Sequence, residues 1–475
     1  MTTLLHISDL HRTPDAEVSN TVMIHALRRD LSDMQQGIDV IVASGDIVQG
    51  TKDGGAVELA RQYTEARAFL EGLADAFLGG DRERVVIVPG NHDVDWVPSR
   101  ASMKAVPATG ETRKHLLKKL FLSRSAHRWS WSEFEFYQIT DRAEYQRRFA
   151  AFATFYDSFY KGARTYSMDP AKQFDIFDYP NWNLTIVGFN SCYDNDHCNY
   201  AGRIDPDCIA SVGLALSGPR YANRSRVAVW HHNTKGLPQE ANYMDVRILA
   251  NLIDLRFALG LHGHQHRNDI VEEYAPVAKR QRMTIISAGS LCAGADEMPL
   301  GERRSYNIIT LQDADSCVVR VRREHTDDPL APLFGPSVPR GYSREEVELS
   351  LQTFPEILTM NATVREAEKH IAAGAHEKAL ALLGGLDGHD PMVRRLLFEC
   401  FTELDHTADL VKHFYPPTSS LEILALMPAL WVERELDKLQ ELLTSAAVVN
   451  STDTSIRELT TKYTSLYAAK FPRKS

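Results

Sequence analysis

Short apolar runs at 2–7, 39–44 (DVIVAS) and 84–89 (RVVIVP) open the chain. Each is rich in branched or long aliphatic residues, is bounded by polar or turn-forming residues, and has the length of a strand buried on both faces. Between them, 21–35 and 57–78 carry apolar residues at helical spacing. The order is therefore β-α-β-α-β, with crossovers long enough for right-handed parallel connections, and an α/β sheet is predicted. Further strands are expected at 183–191, 226–233, 258–266, 282–290 and, with alternating polarity, 316–323.

Two stretches interrupt this pattern. Residues 326–342 hold four prolines and break every periodicity, which predicts a linker. From Ser343 onward only helical periodicity remains, and Thr363 followed by Glu366 reads as a capping box at the start of the first helix. An all-α domain over 343–475 is expected, built as helical hairpins. Residues 370–383 are faintly similar to one tetratricopeptide unit, without the 34-residue period that would establish repeats. Such a domain would serve partner contacts or self-association. The other interruption is an insertion at about 97–170, directly after GNHDVDW.

Composition narrows the function classes. No apolar run reaches the roughly 18 residues of a membrane span, and the N-terminus lacks a basic region and cleavage site, so a cytoplasmic protein is expected. Six cysteines without a CxxC pair point to reduced thiols. A formal charge of −10 argues against a nucleic-acid binder acting through overall basicity. Residues 99–164 are the exception, with 13 Lys and Arg against 6 Asp and Glu, interleaved with aromatics. They read either as a stackable surface for a nucleotide or single strand, or as an amphipathic lid helix burying its rings.

The predicted strands end in SDLH, SGDI, GNHD, WHHN and GHQH. In open α/β sheets ligands gather beyond the carboxyl ends of strands, where these polar residues stand. On an extended strand, residues i and i+2 share a face, so Asp9 with His11, and His262, His264 and His266, would point together. Taken singly each motif is weak; the five in this order are not. Asp, His and Asn donors without thiolate suit two divalent ions, manganese first, with iron, zinc, nickel or cobalt also accommodated. Glycines before Asp46, Asn91 and His264 allow tight turns and close backbone approach.

These motifs resemble the calcineurin-like metallophosphoesterase superfamily over residues 1–325. The resemblance implies a four-layer α/β/β/α sandwich followed here by the helical extension. It implies that Asp9, His11, Asp46 and His266 hold one metal and Asp46, Asn91, His231 and His264 the other, with Asp46 bridging and His92 assisting the leaving oxygen. A metal-bridging hydroxide would then attack the phosphorus in line. His232, Asp93 and His262 are expected to touch the phosphate or to support the ligands from behind, and His6, His25 and His197 to be ordinary fold residues. Asp95, Trp96 and Asn190 are placed in the pocket by position alone. Asn233 and Thr234 stand where many members have proline, which leaves the local turn open.

The expected activity is hydrolysis of a nucleotide or nucleic-acid phosphodiester. A phosphomonoesterase or protein phosphatase is the alternative, since the metal core is shared. A partner-binding scaffold with an inactive phosphoesterase domain is a third reading, opposed by the intact donor set.

Overall fold

A computed structural model describes residues 1–470 apart from 33, 35, 36, 52, 54, 121–123, 237–241, 275–281, 295, 296, 313–315, 327, 329, 352–354, 389 and 452; side chains are left aside also at 111, 246, 272–274, 355–362, 365 and 391. The chain divides into two compact units, one of residues 1–275 and 281–353, the other of residues 354–475. No helix among the described residues is long and apolar enough to cross a membrane.

Strands are numbered in chain order. The first sheet holds β1 (Thr2–Ile7), β2 (Val40–Ala43), β3 (Val85–Ile87), β13 (Ser305–Leu311), β14 (Ser316–Glu324), β15 (Phe334–Ser337) and β16 (Glu346–Ser350). Its order is β15-β14-β13-β1-β2-β3, with β16 also on β14. β1, β2 and β3 pair in parallel, joined by helices Asn20–Asp30 and Gly55–Leu78, as the periodicity predicts. The second sheet holds β7 (Phe174–Tyr179), β8 (Leu184–Phe189), β9 (Ser225–Val229), β10 (Leu259–His262), β11 (Asp269–Tyr274) and β12 (Arg282–Ser287), in the order β11-β12-β10-β9-β8-β7.

Strand alternation sorts the second sheet's side chains into two cores. Ile186, Val227, Val229, Leu259 and Leu261 share a core with the buried strands of the first sheet. Val187, Phe189, Ala228, Trp230 and Met283, one residue out of step, pack against helices Pro206–Leu216 and Val246–Asp254. Helix, sheet, sheet and helix therefore stack as the four-layer α/β/β/α sandwich, followed by a helical C-terminal region.

Three expectations are corrected. The boundary is not wholly a linker at 326–342 followed by helices alone from Ser343, because β15 lies within that segment and β16 beyond it, both along β14, with Val321 paired to Ser337 and Ser316 to Ser350. β15 is an edge strand, where Pro336 can lack an N–H without cost to the ladder. The first C-terminal helix begins at Pro355, so Thr363 lies inside it and caps nothing; proline suits a first helical position because its fixed φ is already helical. The third correction concerns the strand-end motifs and is taken up with the site.

The C-terminal unit is a run of helical hairpins. Helices Pro355–Ala372 and His376–Leu383, Pro391–Glu403 and Thr407–Phe414, and Ser420–Val432 and Leu436–Thr444 are each joined through a residue of left-handed backbone, Gly374, Asp405 and Arg434. These turns recur about every 30 residues. The periodicity is one of backbone geometry, which is why letter-matching in the sequence misses it.

The insertion builds a small sheet, β4 (Met103–Val106), β5 (His127–Ser130) and β6 (Glu135–Ile139), ordered β4-β6-β5. Helix Ala150–Phe159 buries Phe152, Phe155, Tyr156 and Phe159, so for this segment the amphipathic-helix reading holds.

Candidate metal centre

Beyond β1, β2 and β10 the backbone leaves the extended region. Asp9 (φ 50°), His11 (φ 42°), Asp46 (φ 48°), His264 (φ 76°) and His266 (φ 52°) are left-handed, five of the twelve such non-glycine residues among those described. The paired donors therefore do not share a strand face. β10 ends at His262, and the following loop aims His264 and His266 by its twist. Each such residue costs on the order of 1–3 kcal/mol and persists only where its surroundings hold it. Here the hold is specific: His264 N donates to both oxygens of Asp9 (3.2 and 3.0 Å), and His92 N donates to Asp46 Oδ1 (2.8 Å). A Cβ on Gly90 would stand 2.2 Å from Asp46 N and Oδ1, and one on Gly263 1.8 Å from Ser8 Oγ. Only glycine permits these loops to close on each other.

Two donor clusters result, Asp9 with His11 and His266, and Asp46 with His231 and His264. Asn91 Oδ1 joins the second, 2.8 Å from His264 Nδ1 and 3.1 Å from His231 Nε2. Asp46 Oδ2 lies 3.1 Å from His231 Nε2 and 3.9 Å from His11 Nε2, between the clusters. All seven predicted ligands thus converge.

The donors fit a pair of divalent cations. His11 Nε2 faces His266 Nε2 at 3.2 Å, and His264 Nδ1 faces His231 Nε2 at 3.2 Å; one proton at most can serve each contact. Outward protons have partners: His231 Nδ1–H donates to the Ser44 carbonyl and His266 Nδ1–H to that of Glu297, both at 2.9 Å. Their Nε2 lone pairs are thereby turned inward.

Electrostatics agree. Burial by itself would raise Asp9 and Asp46, but His266 beside the first and His231 beside the second outweigh it and hold both carboxyls below the usual range. Burial likewise works against charge on His231 and His266, yet Asp46 and Asp9 carry each up to about 9. His11 and His264 fall to about 4 and 3, through burial and then the neighbouring His92 and His231. Without cations, two imidazolium protons balance two carboxylates. Metal uptake at neutral pH is therefore expected to release protons, and affinity to weaken as pH falls below about 9. Calorimetric titration in buffers of different ionisation enthalpy checks this; equal heats in all of them would contradict it.

The other predicted residues divide. His92 Nδ1–H donates to the Gln49 carbonyl (2.5 Å), and its ring packs edge-on to His11 at 4.7 Å. His232 is fully buried, with Nδ1 on Ser191 Oγ (2.9 Å), and His262 stacks on Trp230. Asp93 is not offered to a phosphate: it is buried and accepts from Gly90 N, Ile47 N and Tyr63 Oη, tying the Asp46 loop to the Asn91 loop. Burial, then the charge of Asp46, pushes its carboxyl up to about 7. His6 pairs with Ser44 Oγ, and His197 with Ser99 Oγ. Asp95 caps helix Trp96–Ala101, Trp96 packs beside Tyr200, and Asn190 binds Gln173 inside the fold.

Sequence reasoning missed Ser191, whose hydroxyl accepts from the backbone of His231 and His232. It also missed a groove of about 600 Å³ beside His264, lined by Lys235, Asn242, Gln265 and Arg267. Arg267 was within reach, since it follows His266 directly.

Fold and donor set are those of a metallophosphoesterase domain. The chain belongs to the calcineurin-like phosphoesterase family, whose model matches residues 2–268. That family uses a dinuclear metal centre, and the two clusters here are its candidate ligands. Among solved structures, the purple acid phosphatase from yellow lupin (Lupinus luteus) seeds is 10% identical with a TM-score of 0.40, over 74% of this chain and 53% of that one. The chain thus spans about half of that enzyme's length. A dimetal phosphatase from Danio rerio is 10% identical, TM-score 0.37, over 74% and 99% of the two chains. Vps29 from Entamoeba histolytica, complexed with zinc, is 9% identical, TM-score 0.26, over 74% and 100%. No curated protein matches the sequence.

Proposed function

We propose that the protein is a dinuclear metal-dependent phosphodiesterase acting on a nucleotide or nucleic-acid phosphodiester. The observation that carries this reading is the groove next to His264, where Lys235 and Arg267 offer charge beyond what one scissile phosphate needs. A substrate with further phosphates along its backbone suits such a groove. Asp9, His11, Asp46 and His266 would hold one ion, and Asp46, Asn91, His231 and His264 the other. Bound there, manganese or a similar ion supplies charge neutralisation and activates water at neutral pH.

The remaining work falls to the chain. Ser44 and Glu297 carbonyls fix the tautomers of His231 and His266, and the Asp9 carboxylate fixes the His264 backbone. Gln49 orients His92, leaving its Nε2 to steady or protonate the leaving oxygen. His92→Ala is expected to lower turnover roughly 10²-fold on a nucleotide diester. The loss should be smaller on bis-p-nitrophenyl phosphate, whose leaving group is already acidic. Equal losses on both would assign His92 to phosphate binding instead.

The deciding assay compares bis-p-nitrophenyl phosphate with p-nitrophenyl phosphate under manganese. Preference for the diester supports the proposal; preference for the monoester makes the protein a phosphomonoesterase or protein phosphatase. We place it in the cytoplasm, a reading supported by six unpaired cysteines, five of them buried. The helical hairpins are proposed as a surface for a protein partner or a second copy.

A further inference from the structure

The insertion keeps a few large aromatic rings out of its core. Trp131 and Phe134, on the turn between β5 and β6, are 76% and 70% exposed. Phe134 has left-handed backbone (φ 56°), where a bulky residue is an outlier and the fold alone would favour glycine. Trp129 packs edge-on to both rings, at 5.8 and 6.4 Å. Its Nε1 is buried without a hydrogen-bond partner among the described residues.

A pocket of about 250 Å³ opens beside these rings, lined by Trp129, Phe134, Phe136, Arg113, Glu135 and the edge strand at Ala105. It is smaller than the roughly 300–1,000 Å³ of a whole small-ligand site, so it suits one ring system rather than an entire cofactor. The Arg113 guanidinium sits 5.3 Å from the Trp129 ring centroid. Arg113 belongs to helix Gly110–Leu120, which also carries Lys114, Lys118 and Lys119. No carboxylate pairs with Arg113, Lys118 or Lys119 among the described residues.

We propose that this hairpin and helix grip single-stranded nucleic acid, one base entering the aromatic pocket while Lys118 and Lys119 follow the phosphates. Exposed rings beside unpaired cations are what unstacked bases on a charged backbone require. A purely anionic ligand would not explain Glu135 in the lining, whereas a base edge with an exocyclic amino group finds an acceptor there. The insertion follows helix Trp96–Ala101, which starts four residues after His92, so the proposed strand-binding surface is joined to the centre by a short stretch of chain. This assignment rests on the phosphodiesterase reading for its substrate class, but binding can be measured apart from turnover.

The test uses the full-length protein in EDTA with a fluorescently labelled single-stranded oligonucleotide of mixed sequence, followed by anisotropy. Trp131→Ala and Phe134→Ala should each weaken binding roughly 5- to 150-fold. Lys118→Glu should weaken it and flatten its salt dependence. With manganese restored, all three variants should hydrolyse bis-p-nitrophenyl phosphate like the parent. Unchanged affinity in both ring variants overturns the proposal, as does binding to anionic vesicles in place of the oligonucleotide. If binding needs the rings but no diester is hydrolysed, this surface stands and the phosphodiesterase reading falls. If diester hydrolysis is intact and no oligonucleotide binds, the reverse holds.

Discussion

Asp46→Asn is expected to lower manganese-dependent diester hydrolysis by at least about 10³-fold, since stabilisation by a metal pair is worth several kcal/mol. Among the described residues, Asp46 is the carboxylate with a single oxygen near histidine ring nitrogens of both clusters, Oδ2 lying 3.1 Å from His231 Nε2 and 3.9 Å from His11 Nε2. Its other oxygen accepts from His92 N at 2.8 Å, and an amide can present either its oxygen or its NH2 there but cannot bring a negative charge. Two divalent cations would then face the single carboxylate of Asp9. Elemental analysis after manganese loading should find fewer than two ions per chain. A variant that keeps two ions and full turnover would remove Asp46 from the centre and, with it, the proposed ligand assignment.

Arg128→Ala is expected to destabilise the phosphoesterase unit by about 3–5 kcal/mol, the usual result of stripping one partner from a buried ion pair. Arg128 is 5% exposed; Nε donates to Asp196 Oδ2 at 2.6 Å, Nη2 to Asp194 Oδ1, and Nη2 also to Tyr145 Oη at 3.0 Å. Asp196 is fully buried and would keep only Tyr145 Oη (2.8 Å) and the Cys198 N–H (2.8 Å). Burial already holds the neighbouring Asp194 carboxyl above its ordinary range against the pull of Arg128, and removing the guanidinium lifts that opposition. Such a group stabilises the fold at low pH and ceases to do so as pH rises, so the deficit should be larger at pH 7 than at pH 5. Thermal melting at both pH values checks the sign. Arg128→Met with Asp196→Asn should recover part of the loss, because it removes the unpaired charge as well.

The same contacts link the insertion to the centre. Arg148 donates to the carbonyls of Asn195 (2.9 Å) and Tyr193, in the loop that begins with Ser191. Ser191 in turn holds the backbone of His231 and His232. Loosening this loop is therefore expected to lower turnover even where the donors are untouched.

Much of the centre was legible in advance. The ends of β1, β2 and the strands that precede His231 and His264 could be read from apolar runs, because burial on both faces of a parallel sheet leaves that pattern in a few consecutive residues. The donors follow those runs directly, so the seven proposed ligands and His92 could be named by position. The proline-rich edge was misread because proline speaks against a strand locally, while β14 supplies a partner that only the fold reveals. The aromatics of 149–160 gave both readings equal footing until packing against Tyr63 and its neighbours separated buried rings from the exposed Trp131 and Phe134.

What the sequence determined by itself was which atoms are available: carboxylates, imidazoles and an amide placed after strands whose length and polarity are local properties. Tertiary structure alone decided how those atoms face one another. The left-handed backbone at Asp9, His11, Asp46, His264 and His266 runs against local preference, and no short pattern encodes it. At His264 it is held by Asp9, 255 residues away along the chain, just as the His231 ring is aimed by the Ser44 carbonyl at a separation of 187. Local free energies set the strands, and long-range hydrogen bonds in a buried, low-dielectric site set the geometry between them.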